Sequence, residues 1–129
     1  MFERLEISRE AFALATHAMT RQGAISANIA NADTPGYRAV DVADFAAALE
    51  GGGGLQPVAS RPTHLARPDA EQSFALAARR VPGTESPNGN TVSLENEMVK
   101  AADVRHSYDM ALAIAKATTG ILRTSLGRR

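Results

Sequence analysis

Apolar residues recur at helical spacing at both ends of the chain and lose that rhythm between them. Near the start, Leu5, Phe12, Ala15, Met19 and Ile29 fall on one face, with Ser8, Gln22 and Ser26 filling the same three-four spacing. This predicts an amphipathic helix from about Ile7 to Ala30, within an N-terminal segment 1–31. Toward the end, Leu94, Met98, Ala101, Arg105, Tyr108, Leu112, Ala115, Thr119, Leu122 and Leu126 alternate spacings of four and three, which is a heptad seam. Ser93 is placed to N-cap that helix, Glu95 and Glu97 put negative charge on its first turn, and Arg123, Arg128 and Arg129 balance the other end. With no proline, and with Gly120 its one glycine before Gly127, the segment 91–129 can carry a helix of about 33 residues, ~50 Å long. A second stripe, Met110, Ile114, Ala117 and Ile121, lies beside the first, so one partner helix cannot cover both. Each large apolar side chain left in water forgoes ~1.5–3 kcal/mol, a serious loss for a domain of ordinary stability, so the pattern is that of a chain built to associate.

Five of the six prolines and six of the ten glycines fall within 51–90, which separates the two helical ends. Gly51-Gly52-Gly53-Gly54 reads as a flexible hinge. Beyond it, large apolar residues are sparse, chiefly Leu55, Leu65, Phe74 and Leu76. A short strand is expected at Ser73 to Ala77, in a segment that would order fully only when neighbouring subunits complete its core. Asn88-Gly89-Asn90 supplies a turn into the last helix. The fold class expected is therefore mainly α: long amphipathic N- and C-terminal helices forming a coiled-coil-like hairpin or bundle, with an irregular Gly/Pro-rich middle that has room for short strands. All 129 residues form one domain, divided into 1–31, a turn and extension at 32–50, the middle 51–90, and 91–129.

The junction after the first helix is chemically unusual. Asn28 and Asn31 lie three apart at a helix end, where carbonyls lack partners and an amide can donate to them or take a left-handed backbone. Pro35 forbids further helix. Thr34-Pro35-Gly36-Tyr37 suits a tight turn, with Pro presetting φ at the second position and Gly free to take positive φ at the third.

Composition removes several classes of function. Fourteen basic and fourteen acidic side chains cancel, leaving no net field to draw the chain to nucleic acid or an anionic membrane. With no Cys there is neither disulfide nor thiol chemistry. Met1-Phe2-Glu3-Arg4-Leu5-Glu6 has no uninterrupted apolar core, so no cleaved leader is expected, and no stretch approaches the ~20 apolar residues of a membrane span. Gly51 to Gly54 lacks the Lys and helix of a phosphate loop. Asp103 and His106 sit one turn apart, but two ligands do not make a metal site. No nucleophile elbow or His-Glu-x-x-His is present, so no catalytic residue, cofactor or small-molecule substrate is expected. Arg105 occupies a seam position otherwise apolar or small. It either snorkels to water or acts as a register device paired with a neighbour's carboxylate.

Ala27-Asn28-Ile29-Ala30-Asn31 followed by Thr34-Pro35-Gly36-Tyr37, after an amphipathic helix, closely resembles the N-terminal signature of the flagellar axial proteins, the rod, hook and hook-associated subunits. Within that family the chain is most similar to the proximal rod subunits, with a paralogous rod subunit as the nearest alternative. Arg38 to Phe45 looks like the family's short extension ending in an acidic residue plus Phe. Pro62-Thr63-His64-Leu65 is similar to its central Pro-x-His element, and Gly89 to Met98 to the segment that begins its last helix. Residues 66–86 depart from the pattern. The resemblance implies a non-enzymatic building block of the basal body's periplasm-spanning rod, exported by the flagellar type III apparatus without a cleaved signal. It would pack with its own copies, other rod subunits and basal-body proteins into the drive shaft. Its signature residues would be Asn28, Ile29, Asn31, Thr34, Pro35, Gly36 and Tyr37, and its helix interface Leu5, Phe12, Met19, Leu94, Met98, Arg105, Tyr108, Leu112, Leu122 and Leu126. Outside this class, the same seams suit a soluble helical adaptor or chaperone-like binding module holding one partner.

Overall fold

Small residues recurring every seven positions let two long helices approach closely, and that pair is the body of the molecule. The computed structural model describes residues 2–50, 76–78 and 85–127. In chain order the elements are α1 (Phe2–Ala30), β1 (Val40–Val42), α2 (Phe45–Glu50), β2 (Leu76–Ala78) and α3 (Leu94–Ser125). Asn28, near the end of α1, bonds Glu97, near the start of α3, while Ala18, Ile25 and Val104 cluster further along. The two helices therefore form an antiparallel hairpin. β1 and β2 pair antiparallel, with Val40 opposite Ala78 and Val42 opposite Leu76. Ser93 caps α3 as expected, accepting from the Asn96 N–H. Four-back bonds from Thr118 to the Ile114 carbonyl and from Thr119 to Ala115 show how hydroxyls are accommodated within α3.

The seam between the helices is not the one the apolar spacing suggested. On α1 the inward positions are Ala11, Ala18, Ile25 and Asn28, flanked by half-buried Leu14 and Arg21, whereas Phe12, Met19 and Ile29 are exposed. On α3 the inward positions are Glu97, Val104, Ala111 and Thr118, with half-buried Ala101, Tyr108, Ala115 and Leu122 beside them. Thus Tyr108 and Leu122 lie half-buried beside the seam and Leu112 is a half-buried flank. Leu94, Met98, Arg105 and Leu126 face outward. Leu5 lies in α1, and its side chain falls outside the described residues. The reason for the shift is steric: close helix approach selects Ala and Val, and the bulkier residues one position along are turned out.

Two further differences concern the connections. α1 starts at Phe2 rather than near Ile7, and Phe45–Glu50, expected as plain extension, forms α2. β2 overlaps the expected strand but sits slightly later. The glycine hinge at 51–54, the Pro-x-His element at 62–65 and the expected late ordering of 51–75 lie outside the described residues.

Candidate functional site

The closed end of the hairpin is built from amides. Asn28 is 0 % exposed, and all its hydrogen-bonding capacity is used. Its Nδ2 donates to the Val40 carbonyl at 2.8 Å and to Glu97 Oε2 at 3.0 Å. Its Oδ1 accepts from the Val40 N–H at 2.9 Å and the Tyr37 hydroxyl at 3.3 Å. Asn28 was expected to serve its own helix end. Instead it faces the seam and ties α1 to β1 and α3, because a buried amide with two donors and two acceptors can replace the ladder contacts of a missing strand.

Asn31 does what its position predicts. Its Nδ2 donates to the Ala27 carbonyl at 2.8 Å and its Oδ1 accepts from Thr34 Oγ1 at 3.2 Å, closing the helix end. The Tyr37 N–H then bonds the Thr34 carbonyl at 3.2 Å across Pro35 and Gly36, with Gly36 at φ 72°. This is the expected turn, with glycine at the position that needs positive φ. Neither Asn takes a left-handed backbone; among the described residues only glycines do. Ile29 and Pro35 are exposed at the rim.

A second turn locks onto the first. Gly89, at φ 78°, follows Pro87-Asn88, and its N–H bonds the Ser86 carbonyl at 2.8 Å. The Gly36 N–H donates to the Asn88 carbonyl at 3.0 Å and the Thr91 N–H to the Tyr37 carbonyl at 3.1 Å. Buried Asn90 fastens the pair: its Nδ2 lies 2.9, 2.7 and 2.9 Å from the carbonyls of Asn31, Ala32 and Thr34, and its Oδ1 accepts from the Val92 N–H at 2.7 Å. Carbonyls of the turn that follows α1 are thus bonded from the segment leading into α3, 56–59 residues away in sequence.

Below the turns lies a buried ionic chain. Glu97 Oε1 meets Lys100 Nζ at 2.7 Å, Lys100 Nζ meets Asp41 Oδ2 at 3.5 Å, and Asp41 Oδ1 meets Arg21 Nε at 3.1 Å. Burial alone would raise the Asp41 carboxyl. The hydrogen bonds from Arg21 and the Val42 N–H, with the charges of Arg21 and Lys100, outweigh it and hold it below its ordinary value. His17 completes the attachment of the extension: its Nε2 contacts the Ala43 carbonyl at 2.7 Å, and its ring stacks obliquely on Phe45 at 5.6 Å.

Sequence reasoning found the signature turn and missed Asn90, Asp41, His17, Arg21 and Lys100 as members of one constellation, while reading Glu97 only as first-turn charge. Arg21 and Asn28, seven apart on the line of half-buried and buried α1 positions, were the available signal. Arg105 pairs at 3.7 Å with Asp109 of its own helix, and both are largely exposed. The described residues include no helix long and apolar enough to cross a membrane.

Part of this polar junction, from Arg21 through Tyr37, lies within the segment that a known family's model matches. The family described as flagella basal body rod protein matches residues 15–38, which run from within α1 through the first turn. The chain is similar to the flagellar basal body rod protein FlgB of Salmonella typhimurium, 36% identical over 102 residues covering 73% of each chain. It is also similar to FlgB of Escherichia coli K12, 38% identical over 101 residues and 72% of each chain. FlgB of Agrobacterium fabrum is 30% identical over 99 residues and 74% of each chain. The chain belongs to the FlgB family of flagellar basal body rod proteins.

Proposed function

We propose that the chain is a non-enzymatic wall element of the rod, joined to its neighbours through the outer faces of α1 and α3. The observation that carries this reading is the inversion of size across the hairpin. Its seam is closed by Ala11, Ala18, Ala111 and Val104, while Phe12 is 62%, Met19 63%, Met98 64% and Leu126 75% exposed. Covering such side chains is worth ~1.5–3 kcal/mol each, and a closed two-helix unit offers no internal place for them. Helices from further copies of the chain, from other rod subunits and from basal-body proteins supply that cover, and contacts that do not close on themselves generate a helical shaft. Torque then passes through many such contacts at once. The subunit reaches the periplasm-spanning rod through the flagellar type III export apparatus.

The test is to replace outward residues alone. Phe12→Ser with Met19→Ser leaves the helicity and unfolding midpoint of the isolated chain nearly unchanged, yet the protein no longer purifies with basal bodies and motility is lost. Normal motility and normal incorporation of the double variant would refute the proposal. A truncation lacking residues 1–20 provides a second arm, since it removes most of α1 and with it the Phe12 and Met19 face.

A further inference from the structure

The apolar layers of the hairpin specify its alignment poorly. Along α1, Ala11, Ala18 and Ile25 recur every seven residues, and along α3 so do Val104, Ala111 and Thr118, with Ala101 and Ala115 between them. Sliding one helix by a heptad, about 10 Å, again sets apolar or small side chains against one another, with Ile25 the largest that must find a new neighbour. The charged chain cannot follow such a slide. It needs Asn28 and Arg21 from α1, Glu97 and Lys100 from α3 and Asp41 from β1, meeting at 3.0, 2.7, 3.5 and 3.1 Å along the run Asn28, Glu97, Lys100, Asp41, Arg21. The side chains of Asp41 and Glu97 are each only 3% exposed, so misalignment takes Asn28 from one buried carboxylate and Lys100 from the other, leaving Glu97 with Lys100 of its own helix and Asp41 with Arg21, an outcome costlier than an imperfect apolar layer.

We propose that Asp41 and Glu97, bridged by Lys100, are a register lock that admits one stagger of α1 against α3. Because Asp41 sits on β1, the lock closes only when the extension lies across both helices. Alignment of the helices and seating of the extension are therefore a single event. This concerns the hairpin itself and does not depend on what the hairpin is assembled into.

The absence of native cysteine allows nitroxide labels at Ser26→Cys and Ala102→Cys, exposed positions outside the lock, in the isolated full-length chain. With the lock intact, the label-to-label distances form one narrow distribution. Asp41→Ala in the labelled background adds populations displaced by about one heptad, ~10 Å along the helix. Should Asp41→Ala unfold, the decisive variant is Arg21→Met, Asp41→Leu, Glu97→Gln and Lys100→Met together. It removes the buried charges and keeps an amide for Asn28; it remains helical by circular dichroism and shows several staggers. A folded neutral variant with one unchanged distance overturns the lock and assigns alignment to the Asn90 turn, which every variant retains. Loss of helix in the neutral variant also overturns it, because the charges would then hold the helices together rather than choose between their alignments.

Discussion

The closed end of the hairpin and the outer faces of its helices follow opposite rules. At the closed end, polar groups are buried and matched: Asn28 uses both donors and both acceptors, and Asn90 serves three carbonyls and one N–H. On the outer faces, large apolar groups such as Met19, Met98, Met110 and Ile121 stand in solvent. Buried polar contacts depend on geometry and are lost by small displacements, whereas apolar cover is tolerant of detail and available to any fitting neighbour. On the function proposed above, the difference separates two tasks within one short chain: the closed end holds the subunit's own shape, and the outer faces meet its neighbours.

The comparison is broken most severely at Asn28. Asn28→Ala leaves the Val40 backbone groups and Glu97 without their partner inside the fold, and it is expected to cost ~3–5 kcal/mol of stability. Urea unfolding measures this, and a loss below ~1 kcal/mol would mean that water replaces the amide and that the closed end is less exclusive than its geometry implies. Asn90→Ala is expected to cost less, ~2–3 kcal/mol, because the carbonyls it releases lie nearer the rim. Its additional signature is faster amide exchange at Val92 and in the last turn of α1.

Acid sharpens the comparison. The Asp41 carboxyl is held below its ordinary value in the fold, so the folded state binds fewer protons than the unfolded state as pH falls. Its contribution is therefore fully present above the unfolded value of ~3.9 and is lost as the pH drops through the folded value. Unfolding midpoints of the native chain should decline more steeply below that point than those of Asp41→Asn, while the two curves run parallel at neutral pH. The smallest effect on the isolated chain belongs to the outer face: Met98→Ser changes stability by no more than ~0.5 kcal/mol. If it instead destabilises the monomer substantially, the outer face has a structural duty of its own.

The sequence shows the helices, the turn and the family plainly, because each rests on local signals: three-four spacing, a capping Ser93, and Pro35-Gly36 at positions that admit little else. The alignment of the helices is not local. Phe12, Met19, Leu94 and Met98 stand out in a hydrophobic pattern because they are large, and size drew the expected seam onto them. Packing used Ala11, Ala18 and Ala111, whose hydrophobic signal is weak. The same limit hid the closed end. Nothing near Asn90 announces that its partners are the carbonyls of Asn31, Ala32 and Thr34, and nothing near Asp41 points to Lys100. Arg105 drew attention as a cation on an apolar line, while the cations that enter the packing are Arg21 and Lys100, on lines that look ordinary.

The two facing glycines have a topological consequence. A Cβ built on Gly89 would stand 3.6 Å from the Gly36 Cα, and the strands leaving those turns are bonded through Gly36 to Asn88 and Thr91 to Tyr37. Departure from the hairpin and return to it thus occur at one point, and the chain between them is clamped at its base. Doubling the length of such a stretch adds only ~0.6 kcal/mol of closure entropy. Segments of quite different size can be exchanged beyond Phe45 in that stretch, whereas residues 39–45 must stay, because Asp41 and the Ala43 carbonyl belong to the contacts with the helices.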